Sequence, residues 1–272
     1  MIKRSYNLAR VMGIPIRVHI TLIILLPFLA RRFMPFLEPA SFFWGLLCAA
    51  GLFVCVGLHE LGHSWVAIRK GCQVREIMLW PLGGVAKMSH IPSLARDEFL
   101  IAAAGPAVSA LLALLCYLLV VPVAVLGAIP LARTLGILAY INIALCLFNL
   151  LPSFPMDGGR IFRAFMTPRL GRLKATELSV RIGRILAIAM GIWGLMRFDF
   201  ILILIAIFLY NAAGAEYRSV VAQHMNQEWF TTEQQADVHV SPPPYARKAP
   251  PVWKEWKTKT NAFFNDLFKN WK

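Results

Sequence analysis

Inside a long apolar segment the chain reads Gly57-Leu58-His59-Glu60-Leu61-Gly62-His63-Ser64. Residues four positions apart share one face of a helix, so His59 and His63 are expected to point the same way and to bind one zinc ion. Glu60 is close enough to act as general base on a water molecule held by that ion. Two imidazoles and a carboxylate are costly in hydrocarbon, so their presence in a membrane segment indicates a functional site.

The composition is typical of a polytopic membrane protein. Of the 272 residues 58% are apolar and 15% are charged, and the mean hydropathy is +0.61. The net charge of +14 lies mainly between apolar segments and in the C-terminal tail, which favours membrane topology over nucleic-acid binding. The five cysteines form neither a disulfide framework nor a CxxC zinc pattern, and the basic N-terminus leads into a retained first helix without a signal-peptide cleavage site.

We predict an all-α fold of about six transmembrane helices, with a short membrane-associated β-hairpin between helices 2 and 3. The apolar segments are residues 14–30, 42–68, 99–128, 131–154, 182–196 and 198–213. The last two are separated by only a short polar break, so a single long or irregular segment is the alternative. Six spans are preferred because each of these two segments is near the minimum spanning length of about 17 residues.

The basic residues are concentrated in the loops on one side of this topology. The loops on the other side contain only Arg31, Arg32, Arg133 and Arg197. The positive-inside rule therefore places both termini in the cytoplasm. It also places the two histidines toward the cytoplasmic end of the second helix.

The segment between the second and third spans is too polar and too rich in turns to be another span. Alternation over residues 74–79, the turn Pro81-Leu82-Gly83-Gly84 and the strand-like residues 85–88 predict a hairpin at the membrane surface or dipping into it. An exposed edge of this hairpin could pair with an extended peptide.

The fourth span ends in a sequence that breaks helices. Two prolines and two glycines occur between residues 152 and 159, and they present Asp157 at a bend. The second and fourth spans run in the same direction, so Asp157 lies on the same side of the membrane as His59 and His63. These three residues supply the ligand count of a catalytic zinc, one ion per chain, with a fourth position open for water. Asn149 is expected either to donate a hydrogen bond to the oxyanion or to bond between helices.

Three further features have more than one interpretation. Gly105 and Ser109 have the spacing of closely packed membrane helices, and a direct role at the substrate is equally compatible with it. His19 is interpreted as a core or interfacial histidine of the first span. After residue 215 we predict a polar, Pro-rich linker over 216–251 and a basic amphipathic helix over 252–272 that lies on the anionic cytoplasmic leaflet or, alternatively, binds a partner protein.

Four motifs occur in a characteristic order between residues 13 and 160. They are His59-Glu60-Leu61-Gly62-His63, Pro81-Leu82-Gly83-Gly84, Gly105-Pro106 with Ser109, and Asn149 through Pro155-Met156-Asp157-Gly158-Gly159-Arg160. Together they resemble the site-two proteases, the zinc intramembrane metalloproteases, in their bacterial branch. The resemblance implies cleavage of a membrane-protein substrate in or near a transmembrane segment, at the cytoplasmic side.

The resemblance also implies a role for individual residues. Glu60 would be the base, and His59, His63 and Asp157 would bind zinc. Asn149 and Pro155 would touch substrate, and the further candidates for contact with substrate or oxyanion are Gly83, Gly84, Gly105 and Ser109. His19 is similar to a first-helix histidine that is common in one branch of the family.

The chain departs from larger members of that family in its expected domains. Residues 1–215 would be the transmembrane metalloprotease domain, and the loops leave no room for a PDZ-like insertion. The tail is too short for a complete CBS domain. This compact form would be regulated by membrane parts, by the tail, by a separate membrane partner or by a homo-oligomer.

Two other classes of function stay open. In a zinc or cation transporter the same polar residues would form a transport site, which requires a polar path to the outer face, and the outer halves of the spans contain few polar residues. In a catalytically silent membrane scaffold the metal would only stabilise the fold. The glutamate beside the first histidine favours retained chemistry over both.

Overall fold

The computed structural model describes residues 5–33, 39–81, 83–88 and 94–235. The chain divides into two compact units, Met1–His224 and Met225–Lys272. The predicted basic helix at 252–272 lies outside the described residues. The elements, in chain order, are β1 (Ser5–Val11), β2 (Ile14–His19), α1 (Ile20–Phe33), α2 (Pro39–Arg69), β3 (Val74–Trp80), β4 (Gly83–Met88), α3 (Ala95–Val125), α4 (Ile129–Asn149), α5 (Asp157–Leu170), α6 (Arg172–Arg197) and α7 (Phe200–Gln235).

The fold is mostly helical, as predicted. In the described part of the chain, five helices are long and apolar enough to cross a membrane. They lie within α2, α3, α4, α6 and α7. Helix α1 has 14 residues, fewer than the roughly 17 that a span needs, so the count of six stays a prediction.

The first predicted span was wrong in its N-terminal part. Residues Ile14–His19 form β2, and α1 begins only at Ile20. Side chains alternate along β2, with Ile14, Ile16 and Val18 buried, which is the period of a strand that covers a core on one face. Hydropathy alone cannot separate this strand from the apolar helix that follows it directly.

The strands form one four-stranded sheet in the order β1-β2-β3-β4. The β1–β2 and β3–β4 pairs are antiparallel, whereas β2 and β3 are parallel, with Ile16 opposite Ile77. The predicted hairpin therefore forms, as half of a larger sheet, and its position relative to the membrane stays a prediction. One face of the sheet packs on α1 and α2 through Leu22, Phe53 and Val56.

Charged side chains connect the strands on the other face. Glu76 accepts a hydrogen bond from Lys87 at 2.7 Å and pairs with Arg17 at 2.9 Å. The hydrogen bond from Lys87 lowers the pKa of Glu76 below its ordinary value, and the charge of Arg17 adds to this effect. These pairs join β2, β3 and β4, the three strands nearest to the helices that carry the site.

Three further boundaries in the helical part of the chain can be compared with the predicted limits. Helix α4 ends at Asn149, before the predicted limit of 154, because Pro152 and Pro155 cannot continue its hydrogen bonding. The chain turns between α6 and α7, where Phe198 adopts a left-handed conformation with φ 53°, so the fifth and sixth apolar segments are separate helices. Helix α7 continues past residue 215 to Gln235, and the domain boundary at 215 stays a prediction.

Candidate metal centre

Three side chains from two helices converge on one point. His59 and His63 lie one turn apart on α2, and Asp157 is the first residue of α5. The Nε2 atoms of the two histidines are 3.1 Å apart, and Asp157 Oδ2 lies 3.1 Å from the first and 3.2 Å from the second. Both imidazoles are buried, whereas Asp157 is partly exposed. A carboxylate at a helix N-terminus is also favoured by the helix dipole.

The other ring nitrogen of each histidine has its own partner on α3. His63 Nδ1 donates to the carbonyl oxygen of Ile101 at 2.7 Å, and His59 Nδ1 lies 2.9 Å from Ser109 Oγ. A carbonyl oxygen only accepts, so the proton of neutral His63 is on Nδ1 and the lone pair of Nε2 points at Asp157. Helix α3 thereby fixes the ring orientation that a metal ligand requires.

Gly105 allows α3 to approach the two histidines closely. A Cβ at this position would overlap His63 Nε2 and would lie 2.6 Å from His59 Nε2. The neighbouring contact at Gly62 of α2 is also tight, since a Cβ there would lie 2.7 Å from Val108 Cγ2. The small residues at the start of α3 thus serve close helix packing, and they place Gly105 directly against the site.

The side chain of Glu60 extends from α2 and lies against the strand β4. A Cβ on Gly84 would overlap Glu60 Cγ and would lie 3.0 Å from its Oε1, so the backbone of β4 passes directly beside the carboxylate. The Glu60 carboxylate makes no hydrogen bond to any residue that the structure describes.

The converging atoms fit a zinc ion. Ligands about 2.1 Å from a tetrahedral zinc lie about 3.4 Å from one another, close to the separations of 3.1–3.2 Å found here. The lone pair of His63 Nε2 and the Asp157 carboxylate oxygen are donors of the type that zinc binds. Among the described residues, this is the only group of three or more His, Cys, Asp or Glu side chains close enough to hold one metal ion.

The other predicted site residues lie in different surroundings. Ser109, Gly105 and Gly84 touch the histidines or Glu60, as described above. Asn149 is the partly buried last residue of α4, Pro155 is exposed in the loop before α5, and Gly83 opens β4, with no contact within 4 Å of an added Cβ. His19 stacks on Trp80 with ring centroids 4.6 Å apart and lies 2.7 Å from Thr21 Oγ1, so it belongs to the sheet rather than to the ligand group.

Sequence reasoning missed two features around the centre. The carbonyl of Ile101 carries no side-chain signal, because any residue offers a backbone oxygen. A buried network of Arg163 with Glu98 and Glu216 was also missed, because these partners lie 65 and 53 residues away in the chain.

We expect Ser109→Ala to weaken zinc binding by about 10- to 100-fold, the usual effect of removing a partner of a ligating histidine. The lost hydroxyl leaves His59 Nδ1 without its partner in a buried site. Zinc affinity of the purified protein, measured by competition with a chromophoric chelator, tests this. Ser219→Ala is the matched control, since Ser219 is exposed on α7 and should bind zinc like the wild type; equal affinity in both variants would contradict the role of Ser109.

Comparison with known proteins shows which family the chain resembles. The model of peptidase family M50 matches residues 47–131 and 124–190, which include both histidines and Asp157. A zinc metalloprotease of Methanocaldococcus jannaschii is 42% identical over 219 residues, which are 79% of this chain and 61% of that protein. A relative from Synechocystis is 36% identical over 197 residues, which are 70% of this chain and 51% of the relative.

A solved structure shares the fold. The site-2 protease from Methanocaldococcus jannaschii is 36% identical, has a TM-score of 0.58, and the match covers 78% of this chain and 95% of that structure. The curated relatives are longer: the chain spans 61% of the first and 51% of the second.

Proposed function

Because the chain belongs to peptidase family M50, the site-2 protease family, we propose that it is a zinc metalloendopeptidase that hydrolyses a peptide bond in or near a transmembrane segment of a membrane-protein substrate. The observation that carries this proposal is the convergence of His59, His63 and Asp157 within about one hydrogen-bond length of each other. Glu60 lies beside them on a helix long enough to cross a membrane.

The proposed chemistry divides the work among these residues. His59, His63 and Asp157 hold the zinc ion, which when bound lowers the pKa of water toward neutrality and polarises a carbonyl group. Glu60 takes a proton from the attacking water and returns it to the leaving amine. Ser109 and the Ile101 carbonyl keep the imidazoles oriented while the proton moves.

The substrate is proposed to bind in an extended form along β4. This strand is the last in the sheet order, so its outer edge has no partner strand among the described residues and can pair with a peptide backbone. Gly84 places the backbone of this strand beside Glu60. Asn149, Pro155 and Gly83 are proposed to contact substrate farther along the same path, with Asn149 also a candidate donor to the oxyanion.

The orientation in the membrane is likewise a proposal. His59 and His63 lie in the last three turns of α2, which ends at Arg69, and the loops that follow are basic. We place this end, and both termini, on the cytoplasmic side of a bacterial-type membrane. The basic segment 252–272 would then lie on the anionic leaflet, and a regulatory membrane partner or a homo-oligomer would control access.

The other classes of function predict different outcomes. A cation transporter would move zinc across vesicles, and a silent scaffold would bind zinc without cleaving protein. No nucleic acid is expected as a partner. A silent scaffold gives no reason for the Glu60 carboxylate to lie next to the converging ligands, and a transporter requires a polar path to the outer face, where the spans contain few polar residues.

The decisive experiment is reconstitution of the purified protein with single-span substrates in liposomes. We expect one zinc ion per chain, cleavage within or next to the substrate helix, loss of cleavage after dialysis against a chelator, and recovery on adding zinc. Cleavage that survives complete removal of zinc would contradict the proposal, as would a wild-type protein that binds no zinc at all.

A further inference from the structure

Arg163 is a completely buried charged residue on α5. Its side chain has 0% solvent exposure. Its Nε donates to Glu98 Oε1 at 2.8 Å, its Nη2 donates to the same oxygen, and its Nη1 donates to Glu216 Oε1 at 3.0 Å. The guanidinium therefore joins α5 to α3 and to α7. Burying an arginine is costly unless each donor is well satisfied, so its position is defined by these two carboxylates.

Glu98 belongs to the helix that orients both histidines. It lies one turn before Ile101, whose carbonyl accepts the His63 hydrogen bond. Gly105 and Ser109 recur on the same face of α3 two and three turns after Glu98, and both contact the ligands. Fixing Glu98 thus fixes the face of α3 on which the imidazoles rest.

Arg163 belongs to the helix that supplies the third ligand. Helix α5 begins with Asp157, so a shift or rotation of α5 moves this carboxylate relative to α2. The guanidinium also lies over the ring of Phe154, at 4.8 Å from the centroid. Phe154 is only 2% exposed and lies in the loop that leads into Asp157. Arg163 therefore holds both the helix and the loop on either side of the ligand.

We propose that Arg163 is a positioning residue of the metal centre. Its ion pair with Glu98 aligns Asp157 on α5 with the two histidines held by α3, and its contact with Glu216 fixes α7 to the same point. A charge-assisted fork of this kind fixes geometry more strictly than apolar packing does. This inference rests on the proposed function, because it takes His59, His63 and Asp157 as the zinc ligands.

Two variants distinguish a role of Arg163 in positioning the ligands from a general contribution to the stability of the fold. Arg163→Lys keeps the charge but loses the planar fork that bridges two carboxylates. The double variant Glu98→Met, Arg163→Met removes the buried pair together, a change that is often neutral or stabilising for folding. The two remaining partners keep access to water, since the side chain of Glu216 is 22% exposed and that of Arg172, which lies 3.9 Å from Glu98 Oε2, is 28% exposed. Arg169→Met, at an exposed position on α5, is the matched control.

The measurements are zinc affinity by competition, the visible absorption spectrum of the cobalt-substituted protein, and thermal unfolding in detergent. We expect both variants to fold, to bind zinc about 10- to 100-fold more weakly, and to show an altered cobalt spectrum. The Arg169→Met protein should match the wild type in all three measurements.

Each other result decides against the inference. Folded variants with wild-type zinc affinity and an unchanged cobalt spectrum would overturn it, even if they unfold at a lower temperature. Failure of both variants to fold would make the network a determinant of folding rather than of ligand alignment. A wild-type protein that binds neither zinc nor cobalt would instead overturn the proposed function, so the two failures are distinguishable.

Discussion

Glu60→Gln is expected to lower the rate of substrate cleavage by about 100-fold or more while zinc content stays at the wild-type level. General base catalysis contributes roughly 10²- to 10⁴-fold, and an amide cannot accept the proton that the carboxylate takes. The substitution keeps the size of the side chain, so the close approach of Gly84 to Glu60 is preserved. Binding of zinc should persist because Glu60 is not one of the three converging ligands.

Cleavage of a single-span substrate in liposomes, together with zinc content by mass spectrometry, tests this. Glu177→Gln is the matched control, because Glu177 is exposed on α6 and pairs with Arg181 at the surface. Equal cleavage by Glu60→Gln and wild type would remove the general-base mechanism. Loss of zinc in Glu60→Gln would show that the glutamate supports the metal instead.

Gly105→Ala is expected to reduce zinc affinity by at least about 100-fold, the upper end of the effects seen for groups around a metal site. Alanine normally stabilises a helix by up to about 1 kcal/mol relative to glycine, so helix propensity predicts a small gain. Here the added methyl group occupies the space of His63 Nε2 and crowds His59 Nε2. Either the rings turn away from Asp157, or α3 moves away from α2 and the two Nδ1 atoms lose Ser109 Oγ and the Ile101 carbonyl as partners.

Gly136→Ala is the control for this substitution. Gly136 is in the interior of α4 and an added Cβ has no atom within 4 Å, so zinc affinity and cleavage should be unchanged. Zinc competition and thermal unfolding measure both variants. Wild-type zinc affinity in Gly105→Ala would contradict the close approach of α3 to the ligands.

The two histidines and Asp157 were predictable from sequence because their signals are local or topological. The i, i+4 spacing places His59 and His63 on one helix face, and the predicted direction of the spans puts Asp157 on the same side of the membrane. Strand β2 was not predictable in the same way. Its partner β3 lies far along the chain, with Ile16 opposite Ile77, and apolar residues continue from β2 into α1 without a break.

The residues that orient the ligands were predictable from sequence only in part, as a helix-packing motif. Gly105 and Ser109 have the spacing that is typical of closely packed helices. This spacing does not indicate that the Ser109 hydroxyl contacts His59 Nδ1. The partners of Arg163 lie 65 and 53 residues away in the chain. Such contacts depend on how α3, α5 and α7 pack together, which composition and periodicity do not encode.

His59 and Asp157 are 98 positions apart in the chain. A zinc ion that binds both would therefore cross-link distant segments of the chain in addition to its role in catalysis. An ion that binds only the folded form adds about 2.7 kcal/mol to the free energy of unfolding when free zinc is about 100 times Kd. The ion would thus brace the packing of α5 against α2. Removal of the ion by a chelator is then expected to lower the stability of the protein. The unfolding temperature should therefore be measured together with cleavage in every metal-removal experiment.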